Sequence, residues 1–70
     1  MDRQNTKAVI ESILFAMGDS VHIDRICEAL EMGKKEVEAI LEIMQTEYIN
    51  DQNRGIKILR FDESYQLCTK

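Results

Sequence analysis

The sequence predicts a mainly α domain closed by a β-hairpin: three helices followed by a two-stranded wing, the order of a winged helix-turn-helix. Three observations predict it. Apolar residues recur at spacings of three and four in three successive segments as far as Tyr48, and the period then drops to two in "IKILRF" and "YQLCTK". The connection between the second and third periodic segments is long enough only for a turn.

The first helix is expected from about Thr6 to Met17. Val9, Ile10, Ile13, Leu14, Ala16 and Met17 fall within half a turn of a helical wheel and form its core stripe. In "SILFAMGDS" one large residue, Phe15, falls outside that stripe. A helix that buries one face needs about three apolar residues in seven, so Phe15 is surplus. It packs against the hairpin or a loop of its own domain, or it forms part of a dimer or partner interface, where aromatic side chains are enriched. Gly18 supplies the left-handed residue that ends the helix, and Asp19 and Ser20 are turn formers.

Ile23, Ile26, Cys27 and Leu30, at i, i+3, i+4 and i+7, predict a second helix of two to three turns. His22 and Ser20 compete for its N-cap. With His22 as the cap, Val21 and Ile26 form a hydrophobic staple and Asp24 meets the positive end of the helix dipole. The third helix is expected from Lys34 to about Tyr48, capped by Gly33 and stapled by Met32 and Val37, with a stripe of Val37, Ile40, Leu41, Met44 and Tyr48. Glu38, Glu42 and Gln45 are read as standing opposite that stripe.

After the polar break "NDQNRG", the two alternating runs flank "DES", a three-residue hairpin loop without glycine. Pairing across it sets Phe61 opposite Tyr65 and Leu59 opposite Leu67 on one face, with Ile58 opposite Cys68 on the other. The last strand reaches the final residue with no closing turn. Residues 1–70 are accordingly read as a single domain cut from a longer chain.

Composition limits what such a domain does. Seventy residues with no proline or tryptophan, 44% hydrophobic and 31% charged, describe one small globular unit. Domains of this size commonly need a staple or a partner. Cys27 and Cys68 lie far apart without a C-x-x-C, and the chain has one histidine, so neither a zinc site nor a dithiol motif is assembled. Both thiols are read as buried and reduced, as in a cytoplasmic protein. "MDRQNTK" lacks the apolar core of a signal peptide, and no long apolar run is present. No catalytic set, phosphate loop, cofactor site or metal site is read from the chain. Surface carboxylates such as Glu38 and Glu42 are solubilising, and Gly18, Gly33 and Gly55 are isolated.

The net charge of −4 disfavours a polyanionic partner. DNA-binding winged helices lay the third helix in the major groove. Here that helix with its cap holds Lys34 and Lys35 against Glu36, Glu38, Glu42 and Glu47, so groove insertion is disfavoured. The hairpin carries one more cation than anion and leaves a phosphate contact by the wing open.

The stretches "AVIESILFAMGDSVHIDRICEALEMGKKEVEAILEIMQTEY" and "RGIKILRFDESYQLCTK" resemble the N-terminal winged-helix domain of the bacterial segregation and condensation protein B family. The telling parts are "ESILFAMGDSV" and the hairpin residues Arg54, Gly55, Ile56, Tyr65, Gln66, Leu67, Thr69 and Lys70. Ser20 departs from the family's usual proline, and the hairpin loop from its usual glycine. The resemblance implies a second, C-terminal winged-helix domain elsewhere in the protein. It also implies a non-enzymatic, cofactor-free role in chromosome condensation and segregation in the cytoplasm. The implied partners are a second copy of the chain, the kleisin subunit (segregation and condensation protein A) and an SMC ATPase, with no membrane and little or no DNA binding. The alternative is a winged-helix transcription regulator that binds DNA.

Overall fold

The computed structural model describes residues 3–70, with side chains from Asn5 onward. In chain order it holds α1 (Arg3–Met17), β1 (Val21–His22), α2 (Ile23–Leu30), α3 (Lys34–Asn50), β2 (Ile56–Phe61) and β3 (Ser64–Thr69). The three helices pack on one face of an antiparallel sheet ordered β1-β3-β2. Ile10 and Leu14 of α1, Ile23, Ile26 and Leu30 of α2, and Val37, Ile40, Leu41, Met44 and Tyr48 of α3 close over Val21, Ile58 and Tyr65 of the sheet. The expected winged helix-turn-helix is thus the observed architecture, with one strand more than its wing.

That additional strand is β1, where Val21 pairs with Tyr65 and His22 with Ser64. Two residues are too few to show alternation, so periodicity does not find it. β1 leads directly into α2 and the His22 cap. The Nδ1 of His22 accepts from the Asp24 backbone N–H at 3.1 Å, and Val21 and Ile26 are both buried, as a staple requires. His22, not Ser20, is the N-cap.

α1 buries a narrower stripe than its wheel predicts. Thr6, Ile10 and Leu14, four apart, face the core, and Val9 and Ile13 pack at its margin. Ala16 and Met17 are exposed, Met17 by 47%. They sit in the last turn of α1 and are left to solvent. Gly18 ends the helix with φ +65° and donates to the Leu14 carbonyl at 3.3 Å, as expected of a left-handed cap.

α2 ends instead on a non-glycine residue. Glu31 has φ 54°, and both its N–H and that of Met32 reach the Cys27 carbonyl, a Schellman-type closure. A side chain in the left-handed region carries a conformational cost that glycine does not. Glu31→Gly is therefore expected to stabilise the domain by about 0.5–1 kcal/mol, raising the melting temperature by several degrees. An unchanged calorimetric midpoint would show that Glu31 carries no such cost.

α3 keeps every residue of its predicted stripe buried, and Gly33 is its N-cap. Glu38 and Gln45 do not stand opposite that stripe. They lie on the flank that meets β2, where Glu38 Oε2 pairs with Arg60 at 3.2 Å and Gln45 Nε2 donates to the Ile58 carbonyl at 3.3 Å. Because Lys70 N–H donates to the Gly55 carbonyl, the backbone groups of Ile56, Ile58 and Arg60 point away from β3. Gln45 therefore satisfies part of an open sheet edge.

The hairpin register differs from expectation by one residue. Phe61 pairs with Ser64, Arg60 with Tyr65, Leu59 with Gln66 and Ile58 with Leu67, across a two-residue loop of Asp62 and Glu63. Asp62 adopts φ 60°, the left-handed value that a short hairpin loop demands and that glycine usually supplies. The core face of the wing is consequently Ile56, Ile58, Tyr65 and Leu67. Leu59, Phe61 and Cys68 lie on the outer face, so Leu59 and Phe61 do not share a face with Tyr65 and Leu67 as the expected register had it. Both cysteines are free and half-buried, which is less burial than expected.

Candidate partner-binding surfaces

Three apolar surfaces remain outside the core. On α1, Phe15 is 79% exposed and rises from a face of Ala8, Ser12 and Ala16, all exposed. Among the described residues it is therefore not packed against the hairpin or a loop of its own domain. On α3, Ala39, Ile43 and Ile49 lie off the buried stripe, with Ile49 exposed and Ile43 half-buried yet outside the core packing. On the sheet, Phe61 projects from the outer face. Sequence reasoning singled out Phe15 because it departs from its helix's stripe. The same signal marks Ile43 and Ile49, which the reading of α3 as a charged face passed over.

A shallow, open depression on α3 is lined by Ala39, Glu42, Ile43, Thr46 and Glu47, with a volume of about 490 Å³. A smaller cleft of about 220 Å³ lies between α1 and α3, lined by Lys7, Ala8, Glu11, Met44, Glu47, Tyr48 and Arg54. Its polar groups are mutually satisfied. The Tyr48 hydroxyl donates to Glu11 Oε2, Arg54 stacks 4.3 Å from the Tyr48 ring centroid and lies 3.4 Å from Glu11, and Lys7 pairs with Glu47 at 2.9 Å. Burial, and then the Glu11 carboxylate beside it, push the Tyr48 phenol up to about 12. The cleft is a structural tie between the first and third helices and the start of the hairpin.

Tyr65 offers a contrast inside the same core. Its hydroxyl is buried and has no hydrogen-bond partner among the described residues, and burial raises its pKa. Arg60 reaches only its ring, 5.5 Å from the centroid. Losing a hydroxyl bonded to a carboxylate is expected to destabilise, whereas losing an unbonded one removes a desolvation penalty. Tyr48→Phe should lower stability by about 1–2 kcal/mol and Tyr65→Phe should leave it equal or up to about 1 kcal/mol higher. Urea denaturation of both variants checks the pair; a destabilised Tyr65→Phe would reveal a partner for that hydroxyl.

Three of the cations that a DNA-binding wing would present are engaged within the fold, while Lys57 on the outer face of β2 makes no ion pair among the described residues. Arg54 is held by Glu11 and Asp51, Arg60 by Glu38 and the Asp62 carbonyl, and Lys70 by the Asp51 carbonyl. Lys34, at the start of α3, is bound to Glu63 in the hairpin loop, and that contact holds the Glu63 carboxyl below its usual range. The outward face of α3 is left with Lys35 and Glu42 around Ala39, Ile43, Thr46 and Ile49, a set that offers phosphate little. Among the described residues no group of three His, Cys, Asp or Glu side chains is arranged to hold a metal, and no helix is long and apolar enough to cross a membrane.

Comparison with known proteins agrees with this architecture. The family model "Segregation and condensation complex subunit ScpB" matches residues 8–70. Segregation and condensation protein B of Ruminiclostridium cellulolyticum is 44% identical over the whole chain, which covers 36% of that protein. Its counterpart in Agathobacter rectalis is 44% identical over 94% of the chain and 35% of its own length. The chain thus spans about a third of the length of the curated relatives it matches. The crystal structure of a dimer of the ScpB N-terminal domain complexed with a ScpA peptide superimposes with a TM-score of 0.87 at 31% identity, over 96% of this chain and 83% of that one. ScpB from Mycobacterium tuberculosis superimposes with a TM-score of 0.90 at 26% identity, over all of this chain and 43% of that one. With its helices, its wing and nearly its whole length accounted for in this way, the chain belongs to the family of segregation and condensation complex subunits ScpB.

Proposed function

We propose that this chain is a non-enzymatic, protein-binding domain of a bacterial SMC–kleisin complex, acting in the cytoplasm in chromosome condensation and segregation. It self-associates as a two-fold dimer and binds the kleisin subunit, segregation and condensation protein A, alongside the SMC ATPase. The observation that carries this reading is the outward face of α3. The helix that a DNA-binding winged helix inserts into the groove presents Ala39, Ile43 and Ile49 with one cation, Lys35, against one carboxylate, Glu42, and Arg54 and Arg60 beside it are paired within the fold. Apolar surface rimmed by polar groups suits a protein partner. The relative whose N-terminal domain forms a dimer with a ScpA peptide supports both contacts.

Phe15 belongs to the dimer contact in this reading. Among the described residues it is the most exposed of the large apolar side chains, and it stands on α1 rather than α3. Closed two-fold dimers let one such residue act twice. The domain is also read as the N-terminal part of a longer, two-domain chain.

The test has two arms. Fluorescence anisotropy with random duplex DNA at physiological salt should give no binding tighter than about micromolar, the range of non-specific association or weaker. Gel filtration with segregation and condensation protein A from the same genome should give a joint peak. Tight, salt-sensitive DNA binding with no joint peak would favour the transcription regulator instead.

A further inference from the structure

We infer that His22 is a proton-operated cap: its neutral imidazole holds the start of α2, and on protonation it releases that helix and turns to the carboxylate of Asp24. The inference concerns the junction of sheet and helices and does not rest on the proposed function. The geometry first fixes the neutral state of the ring. Nδ1 accepts from the Asp24 N–H at 3.1 Å, so in the neutral imidazole it carries no hydrogen. The single ring hydrogen then sits on Nε2, which faces Glu63 Oε2 at 3.5 Å. One tautomer serves both ends of the ring.

Protonation reverses the role of one nitrogen. Nδ1 becomes a donor, as the Asp24 N–H already is, and two donors cannot share a hydrogen bond. An acceptor stands close by, since Asp24 Oδ2 lies 3.6 Å from Nδ1. The charged groups facing the ring are thus Asp24 from α2 and Glu63 from the hairpin loop, with Lys34 of α3 behind Glu63. The hydrogen bond from Lys34 holds the Glu63 carboxyl below its usual range, so Glu63 stays ionised while the ring changes charge. An ordinary imidazole makes that change between about pH 5 and 8, and His22 is the one histidine of the chain.

The cap stands where the sheet and two helices meet. β1 pairs His22 with Ser64, the Ile23 N–H donates to the Glu63 carbonyl at 2.8 Å, and Lys34 ties Glu63 to the start of α3. α2 has only eight residues, so its first turn is a large share of the helix, and an uncapped first turn frays. That turn carries Ile23 and Ile26, both buried. The imidazole is 45% exposed, so a proton reaches it without the domain opening. The change is therefore confined to the entry of α2, with the rest of the fold in place.

Nuclear magnetic resonance of the full chain tests the inference. At about pH 8 the proton–nitrogen correlations of the ring should show the Nε2–H tautomer, with the Asp24 amide proton downfield as a hydrogen-bonded donor. Between about pH 8 and 5.5 that amide should shift upfield in step with the ring nitrogens, which reads the loss of the cap. His22→Asn, whose side chain caps without titrating, should hold the Asp24 amide in place over the same range. His22→Ala should give the uncapped position at both ends of it. An Nδ1–H tautomer in the neutral ring, or an Asp24 amide indifferent to protonation of the ring, would overturn the inference, and neither observation depends on a variant that folds. An equal shift in His22→Asn would overturn it as well, because the change would then belong to another group.

Discussion

Phe15→Ser is expected to loosen self-association of the domain by about 3–6 kcal/mol while leaving its fold intact. Full burial of a phenylalanine contributes roughly 1.5–3 kcal/mol, and a two-fold interface contains the residue twice. The dissociation constant should rise by a factor on the order of 10²–10⁴. Within one copy the side chain is 79% exposed and takes no part in the core, so the monomer has little to lose by its removal. Replacing an exposed phenylalanine by serine also lowers the apolar surface that a free monomer shows to water. Sedimentation equilibrium over a wide concentration range, run beside circular dichroism, separates assembly from folding. The expected outcome is a folded variant that stays monomeric where the wild type is dimeric. A wild type that remains monomeric at high concentration would remove Phe15 from any homodimer, and an unchanged dimer in the variant would move the interface to another face.

How much of this was legible in the sequence depends on how many residues report each feature. The five-residue stripe of α3 spans three turns, and all five members are buried as predicted. Repetition makes the phase of a long helix secure. At the end of α1 the same wheel fails for Ala16 and Met17, because burial also needs an element opposite, and helix phase says nothing about where neighbouring helices stop. β1 has too few residues for any period. Glu38 and Gln45 lie near the border between the faces of α3, and it is β2, arriving from elsewhere in the chain, that draws them inward through Arg60 and the Ile58 carbonyl. Long-range partners of that kind leave no local trace. For the candidate site, Phe15 was legible as an apolar residue out of phase. Ile43 and Ile49 carried the same signal and were passed over because the charged residues of α3 drew the reading toward a solvated face.

The hairpin supplies the sharpest separation between the two readings, and Ile58→Ala set against Phe61→Ser measures it. With a three-residue loop, Phe61 and Leu59 would share the core face with Tyr65; with the observed two-residue loop, Ile58 takes that place. Ile58 is 2% exposed and Phe61 53%. Truncating a buried isoleucine to alanine removes transfer free energy and leaves a cavity, a loss of about 2–5 kcal/mol. Replacing the exposed Phe61 should change stability by no more than about 0.5 kcal/mol. The loop itself explains why the choice was hidden. A short turn is usually announced by glycine at its left-handed position, and here Asp62 adopts φ 60° in its stead. Aspartate tolerates that region better than most residues, but it does not signal it. The anchoring that replaces glycine comes from outside the turn: Lys34 binds Glu63 from the start of α3, the Ile23 N–H donates to the Glu63 carbonyl at 2.8 Å, and the Arg60 guanidinium donates to the Asp62 carbonyl at 2.8 Å. In a domain of this size a loss of 2–5 kcal/mol takes most of the available stability, so Ile58→Ala should be largely unfolded at 37 °C and Phe61→Ser should melt near the wild type. Thermal denaturation by circular dichroism reads both. The reverse order of melting temperatures would mean that β2 pairs one residue out of the observed register, with Phe61 turned inward.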